Sequence, residues 1–545
     1  MPMMRTLILF VLLATGPVMG SAQAAPRWTL VTSDNPAFPT PGIGNIAVLP
    51  IHPALNDADG QSLRMQLDPN ASMGGIWLRV GNGFVPVARR FTTGALGPRR
   101  QGAESTHQFV DLSQFEDAGP GPGTTFLATA GEPGGSAPTV GLWRWQDGQN
   151  RELARYGTDG SLGPGLGPGW RFRSTNVSAM ALNTGADGAA LAQSVTSPTD
   201  AVRAALVLLR PDGNRPCMLQ DDPSTALGPN LGDGSVFLFG TYRTARHGER
   251  YFVNATASRE GLWQVCAGPP RPIAVVQGTG SLAPDVGSGS ARFTTIRTLP
   301  RPMADQALAF IASYDIDDGG PAPIRGALWW HRAGSNQLLA QTGDGSTASG
   351  PNYQGAVFEF IDSVSSTFDA AGPYIALETS ALTPQNQRIN GLWRWRAGAP
   401  PEPVALEGQN GAVAPGPGQT FARIDRWKLF ANGDILADCQ VSGGPSGLFL
   451  FAPRRSPRLV LTAGQSITLD GIGSASTATV DNFALLEGSD TGAADSAIGV
   501  DAWSSDDGGI AVSATITRGT DRAAVLMRST ITDVGLLFGD GFEAP

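Results

Sequence analysis

Three features of this 545-residue sequence predict an all-β chain. A short apolar strand of the form Gly-Leu-Trp returns eight times. The stretches between its copies are short alternating runs broken by Gly, Pro, Asn and Asp, with no helical periodicity. The two ends carry complementary fragments of one repeat. Together they predict a closed β-propeller of eight four-stranded blades, with seven as the alternative count.

The first element is a leader. Arg5 supplies one positive charge, and Leu7 to Leu13 form an apolar core far shorter than the roughly 20 residues of a membrane span. Ala22-Gln23-Ala24 offers a small-x-small cleavage pattern. Residues 1–24 therefore read as a signal peptide, and no later stretch is apolar enough to cross a bilayer. The product is expected to be exported: extracellular, cell-surface or periplasmic.

The repeats fill residues 25–530 as a single domain. Their anchors are Gly75-Ile76-Trp77, Gly141-Leu142-Trp143, Ala205-Leu206-Val207, Gly261-Leu262-Trp263, Ala327-Leu328-Trp329, Gly391-Leu392-Trp393, Gly447-Leu448-Phe449 and Val525-Leu526-Met527. Their third positions are spaced by 66, 64, 56, 66, 64, 56 and 78 residues, the last widened by an insertion near Gly488–Ala497. A unit of this size cannot bury its own apolar face, so copies must stack.

The best-formed unit has four steps. Pro403 to Glu407 is a short extended run. The loop Gly411 to Gly418, with Pro415 and Pro417, reads as non-helical. Phe421 to Asp425 and Ile435 to Val441 are two runs joined through the turn signal Asn432-Gly433-Asp434, and Gly447 to Phe451 is the fourth. The chain opens with a first strand, Arg27 to Val31, that lacks a preceding anchor, and Val525-Leu526-Met527 is an anchor lacking a following strand. Pairing the two removes the edges an open stack would expose.

Cysteine is sparse: Cys217, Cys266 and Cys439. None forms a C-x-x-C pair, which argues against structural zinc. Cys217 and Cys266 fall in neighbouring repeats and could be bridged, but the preferred reading is small buried residues. The net charge of −9 becomes −10 once Arg5 leaves, and Lys428 is the sole lysine. This modest acidic balance provides no footprint for nucleic acid or anionic lipid.

The unit resembles a class of exported bacterial tandem-repeat proteins whose copies carry an Asn-x-x-Gly-x-x-x-Ala-Phe pattern, an Ala-Pro-Gly loop and a Gly-Leu-Trp strand. Ala414-Pro415-Gly416, Asn432 to Ala437 and the anchors carry the match, and most copies depart from the full pattern. The class is largely without assigned activity, so the resemblance implies export and shape. The tail, residues 531–545, is similar in Phe538 to Glu543 to the Phe-x-Asp-Gly-Phe-Glu ending of many exported proteins of Xanthomonas-like bacteria. It reads either as a sorting signal or as a frayed terminus.

One constellation could hold chemistry. The strand before each hairpin turn ends in apolar-Asp at Val110-Asp111, Ile361-Asp362, Ile424-Asp425 and Val480-Asp481, with Asn176 and Arg297 in two other copies. If that strand is innermost, Asp111, Asp362, Asp425 and Asp481 are candidate metal ligands around a central channel, with Ca²⁺ as the fitting ion. The competing reading is that each Asp caps its own strand end. The turns Asn56 to Gly60 and Ser504 to Gly508 read as hairpin turns, not a calcium loop or an Asp box. His52, His107, His247 and His331 have no zinc spacing, and no G-x-S-x-G elbow occurs. The pairs Trp143/Trp145, Trp329/Trp330 and Trp393/Trp395 read as core packing before a sugar platform.

No catalytic residue and no cofactor beyond that calcium is assigned. The preferred reading is a monomeric, secreted binding or structural propeller acting through loops or channel on an extracellular glycan or protein, and it leans away from catalysis. The alternative is a carbohydrate-active enzyme, a glycoside hydrolase or polysaccharide lyase, using channel carboxylates. A surface-anchored adhesin is a third reading, dependent on the tail.

Overall fold

The computed structural model describes residues 27–33, 48–55, 61–66, 74–80, 83–99, 106–117, 124–135, 138–173, 181–184, 189–238, 243–247, 250–296, 301–302, 307–316, 324–369, 372–396, 399–430, 432–470, 476–485 and 509–530. The leader, the tail, the turns 56–60 and 504–508, the insertion at 488–497, Asn176 and Arg297 lie outside these residues.

The strands form eight sheets. β1 (Arg27–Ser33) precedes the first, which is β2 (Val48–Leu55), β3 (Gln61–Gln66), β4 (Gly74–Val80) and β5 (Gly83–Arg89). The second is β6 (Gln108–Asp117), β7 (Thr124–Gly131), β8 (Thr139–Gln146) and β9 (Gln149–Arg155). In the third, β10 (Arg171–Phe172) and β11 (Ala181–Thr184) both lie on β12 (Ala189–Thr196), followed by β13 (Val202–Leu209) and β14 (Arg215–Leu219). The fourth is β15 (Arg243–His247), β16 (Arg250–Thr256), β17 (Glu260–Val265) and β18 (Arg271–Val275).

The fifth sheet has β20 (Ala291–Ile296) and β21 (Arg301–Pro302) on β22 (Leu308–Ile316), then β23 (Arg325–Arg332) and β24 (Ser335–Gln341), with β19 (Pro284–Asp285) parallel to β24. The sixth is β25 (Val357–Asp369), β26 (Gly372–Leu382), β27 (Arg388–Arg396) and β28 (Glu402–Leu406). The seventh is β29 (Phe421–Leu429), β30 (Ile435–Val441), β31 (Ser446–Phe451) and β32 (Arg458–Thr462). The eighth comprises β33 (Ser466–Asp470), β34 (Ser476–Leu485), β35 (Gly509–Arg518) and β36 (Asp521–Thr530).

In the eighth sheet β34, β35 and β36 hold the places of first, second and third blade strand, and β1 supplies the fourth. β1 runs antiparallel to β36 and parallel to β33, closing a five-stranded barrel. Consecutive sheets touch in chain order, and β36 of the eighth touches β2 of the first.

Every anchor lies on the third strand of its sheet, and the ladder to the fourth strand slips between the second and third anchor residues, as at Leu142/Trp143 and Leu392/Trp393. β1 slips against Leu526/Met527 in the same way. The Gly of the anchor follows from this bulge and from the ring two residues on. A Cβ on Gly261 would stand 2.7 Å from the Trp263 ring and 2.8 Å from the Ala274 carbonyl oxygen. Ala205 is tolerated beside the smaller Val207. Ala327 is tolerated because Trp329 turns to donate to Ala312 O at 3.2 Å and pack on Tyr314. Trp263 and Trp393 instead donate to Pro229 O and Pro351 O of the incoming loops, each at 2.9 Å.

The third anchor residue meets, edge-to-face, a Phe that lies in the first strand or, for Phe237, in an isolated bridge before it. The pairs are Phe109–Trp143, Phe237–Trp263, Phe293–Trp329, Phe358–Trp393 and Phe421–Phe449, with centroids 5.1–5.3 Å apart. Each such pair contributes about 1 kcal/mol beyond its area. The same Phe is where the sheets are stitched. Its carbonyl accepts from a residue just past the previous sheet's fourth strand: Phe91 to Phe109, Gly157 to Phe172, Gly343 to Phe358 and Gly408 to Phe421, each at 2.8 Å. These donors have φ between 57° and 77°, the left-handed region, which explains the Gly in three of them.

Between stitch and Phe, the proline loop opens with a single 3-10 turn, at Gly94–Leu96, Gly160–Leu162, Gly280–Leu282 and Gly411–Val413. The non-helical expectation for Gly411 to Gly418 is corrected to this extent, because the prolines follow the turn. An Asn from the next sheet satisfies the loop carbonyls. Asn150 Nδ2 donates to Val87 O and Gly97 O, Asn214 to Leu153 O and Gly163 O, and Asn336 to Ile273, Ser281 and Ala283 carbonyls.

Cys217 and Cys266 are bonded to each other, contrary to the reading as separate small residues. Cys217 is on β14 and Cys266 lies just past β17, so the bridge joins the third and fourth sheets. Adjacency across sheets is invisible in a spacing of 49 residues. Cys439 is free and buried.

Candidate functional site

Beyond the stitched Phe the first strands are irregular, and this irregularity builds the site. Just after the stitch one extra residue interrupts the ladder: Val110 in β6, Thr294 in β20, Glu359 in β25, Ala422 in β29 and Asp481 in β34. Further along comes a second bulge. It carries Asp362 between Ile361 and Ser363 in β25, and Asp425 with Arg426 between Ile424 and Trp427 in β29.

The four aspartates therefore occupy different steps. Asp362 and Asp425 are equivalent, Asp481 sits in the first bulge, and Asp111 pairs with Thr129 just past it. Those with described side chains each hold a cation of their own. Asp111 lies 3.8 Å from Arg90, and Asp425 is ion-paired with Arg423. Asp481 accepts from Arg522 Nε and Thr517 Oγ1, each at 2.9 Å. Among the described residues no group of three or more His, Cys, Asp or Glu is arranged to hold a metal.

Opposite the second bulge stand two carboxylates that the sequence reading passed over. Asp438 of β30 faces Asp425 and Arg426 across the ladder, and Glu378 of β26 holds the same step beside Asp362. Both pair with the Leu of their anchor, Leu448 and Leu392. At that step the second and fifth sheets have Leu127 and Ile311, both buried. The first, fourth and eighth sheets have Arg64, Asn254 and Ser513 there, and the third has Ala192, so an acid at this step is distinguished only by the bulge it faces.

Hydrogen bonds tie this group across sheets. Trp427 Nε1 donates to Glu378 Oε2 at 2.7 Å, and Arg426 Nη1 donates to Leu485 O of the eighth sheet at 2.9 Å. Glu407 accepts from the Ile424 amide at 3.0 Å and from Asn390 Nδ2 at 2.8 Å. Asp438 Oδ1 is shielded from solvent and accepts no hydrogen bond among the described residues. Burial, then the charge of Asp425, raises the Asp438 carboxyl above its ordinary range, while Arg426 and Arg423 oppose the shift. Burial, then Asp438, Asp425 and Glu407, pushes the adjacent Cys439 thiol well up, so it stays un-ionised. A carboxyl biased toward its neutral form beside a cation-paired carboxylate is the pattern of an acid/base pair.

Other candidates resolve into structure. The tryptophan pairs are buried, none more than 9% exposed, and fill the core. His331 Nδ1 lies 2.8 Å from Asn336 Oδ1. Because Asn336 Nδ2 is spent on carbonyls, that ring nitrogen carries the proton, and burial lowers the His331 pKa. The side chains of His52 and His247 lie outside the description. Among the described residues no helix is long and apolar enough to cross a membrane.

No family model matches the sequence, and no curated protein does. Solved structures of similar outline exist. The β-propeller domain of the Trilobed protease from Pyrococcus furiosus aligns with 66% of this chain and 98% of its own, at 11% identity and TM-score 0.27. An α-L-arabinofuranosidase from Fusarium graminearum aligns over 68% and 97%, at 11% identity and TM-score 0.22. Aleuria aurantia lectin aligns over 62% and 90%, at 11% identity and TM-score 0.21. Likenesses at this level carry no activity to this chain.

Proposed function

We propose that the chain is an exported, closed eight-bladed β-propeller that acts on an extracellular glycan at the carboxylate pair Asp425–Asp438. Asp438 is the proton donor and Asp425 the carboxylate partner in hydrolysis of a glycosidic bond. The observation that carries this is the asymmetry of the pair: Asp438 is partly buried, with one oxygen unserved, and faces a bulge whose Asp425 is ion-paired with Arg423. Closure is supported by β1 completing the eighth sheet and by the contact of that sheet with the first. Export is supported by the leader pattern and by the Cys217–Cys266 bridge, since disulfides persist in oxidising compartments.

The second reading is binding without turnover. It is favoured by Phe360, a half-exposed ring two residues before Asp362, which offers an apolar face to a sugar, with Arg388 set 5.4 Å from its centroid.

The deciding experiment screens the purified protein against a glycan array and aryl glycosides, with and without Ca²⁺. Turnover that falls about 100-fold or more in Asp438→Asn supports the acid role. Binding without turnover selects the second reading, and the absence of both binding and turnover removes both readings.

A further inference from the structure

A bulge is the most deformable place in a strand. Asp425 and Arg426 together oppose Asp438, so neither keeps a regular ladder partner. A slip of one residue there would send the Asp425 side chain to the opposite face of the sheet. Something outside the seventh sheet must therefore hold the register. The two residues following Asp425 do so, in opposite directions. Trp427 reaches the sixth sheet through a charge-assisted bond to Glu378, 2.7 Å long, and its ring packs on the core shared by the sixth and seventh sheets. Arg426 reaches the eighth sheet at Leu485 O, 2.9 Å away.

We infer that Arg426 and Trp427 are positioning residues, a two-sided clamp that sets Asp425 against Asp438 at the junction of three sheets. The clamp is geometric and independent of what the site binds; only its consequence for a glycan rests on the functional reading above. The groups facing Asp438 are Asp425, Arg423 and Arg426 on β29, with Cys439 beside it on β30 and Glu407 just past β28. Glu378 accepts from Trp427 Nε1.

The test reads the ionisation of Asp438 itself, in the full chain without ligand, by carboxyl NMR on aspartate-labelled protein assigned with Asp438→Asn. Trp427→Phe keeps the ring and removes the N–H donor. Its Asp438 titration midpoint is expected to fall toward the ordinary carboxylate range, as Asp425 moves off. Affinity for whichever glycan the screen identifies is expected to weaken about tenfold. Glu378→Gln, which still offers the indole an acceptor oxygen, is expected to retain the wild-type midpoint. An unchanged midpoint in Trp427→Phe overturns the inference, even if the protein melts earlier, since a merely structural tryptophan would do that. If Trp427→Phe does not fold, Arg426→Gln decides by the same readout. A shifted midpoint in a protein that binds and cleaves no glycan leaves the clamp standing and sinks the functional reading instead.

Discussion

Removing the bridge between the third and fourth sheets tests both the disulfide and the cooperativity of the ring. The perturbation is Cys217→Ala/Cys266→Ala, which leaves only Cys439. The bridge closes a loop of 49 residues. Loop-closure entropy for that length gives about 4 kcal/mol of stabilisation. How that appears in a melt depends on the size of the cooperative unit. At about 2.1 cal/mol/K per residue, a ring of about 500 residues melting as one unit loses about 4 °C. If the third and fourth sheets melt on their own, as about 105 residues, the same free energy costs about 18 °C. Calorimetry of the double variant beside wild type, without reductant, separates the two. Alkylation of unfolded wild type must label Cys439 alone. A double variant that melts with wild type, or labelling at Cys217 and Cys266, refutes the argument.

Two further outcomes follow from geometry. Gly261→Ala drives a methyl into the Trp263 ring and the Ala274 carbonyl, and should cost about 1–3 kcal/mol in a denaturant titration, whereas Ala205→Gly, where Val207 leaves room, should cost about 1. Burial works to raise the Asp344 carboxyl, but hydrogen bonds from Ser349, Gln341 and Ser346 outweigh it and hold the pKa at about 2. A depressed carboxylate stabilises the fold above its unfolded pKa, about 3.9, and loses that contribution as pH falls through about 2. Asp344→Asn should therefore melt earlier than wild type at pH 5 and match it near pH 2; a deficit independent of pH would contradict this.

The fold was legible where one steric rule repeats. Gly, a branched or long aliphatic, then Trp is the residue set that a bulged third strand with a folded-back ring permits, so the pattern survives in most copies. The complementary ends were legible because Arg27 to Val31 and Val525 to Met527 are halves of one ladder. The stitch at Phe109, Phe172, Phe237, Phe293, Phe358 and Phe421 was not noticed, although its left-handed donors are often Gly, because some are Phe91, Asp221 and Gln277. The site was half legible. Apolar-Asp found Asp362 and Asp425, but a bulge adds a residue without changing residue type. Asp111 and Asp481 were therefore aligned with positions they do not share. Asp438 was hidden in an ordinary strand, at a step whose residue type varies from Leu127 and Ile311 to Arg64 and Asn254.

That comparison yields the sharpest contrast between what the fold prefers and what the site needs. At the step beside the anchor's middle residue, the fold accepts Leu127 and Ile311, Ala192, and also Arg64, Asn254 and Ser513, so the step itself does not require a carboxylate. A carboxyl whose pKa is raised on folding contributes its stability below its unfolded pKa and loses it as pH rises through the folded value. At neutral pH Asp438 is thus a burden on the native state. Asp438→Leu should remove that burden and add apolar burial, raising stability by about 1 kcal/mol at pH 7. As pH falls and wild-type Asp438 takes up its proton, the gain should shrink. Glycan turnover or binding should be abolished by the same change. A less stable Asp438→Leu would mean that the carboxylate is structural. Retained activity would mean that the working site lies elsewhere. Stability gained and function lost together is the result expected of a residue kept for chemistry against the preference of the sheet that carries it.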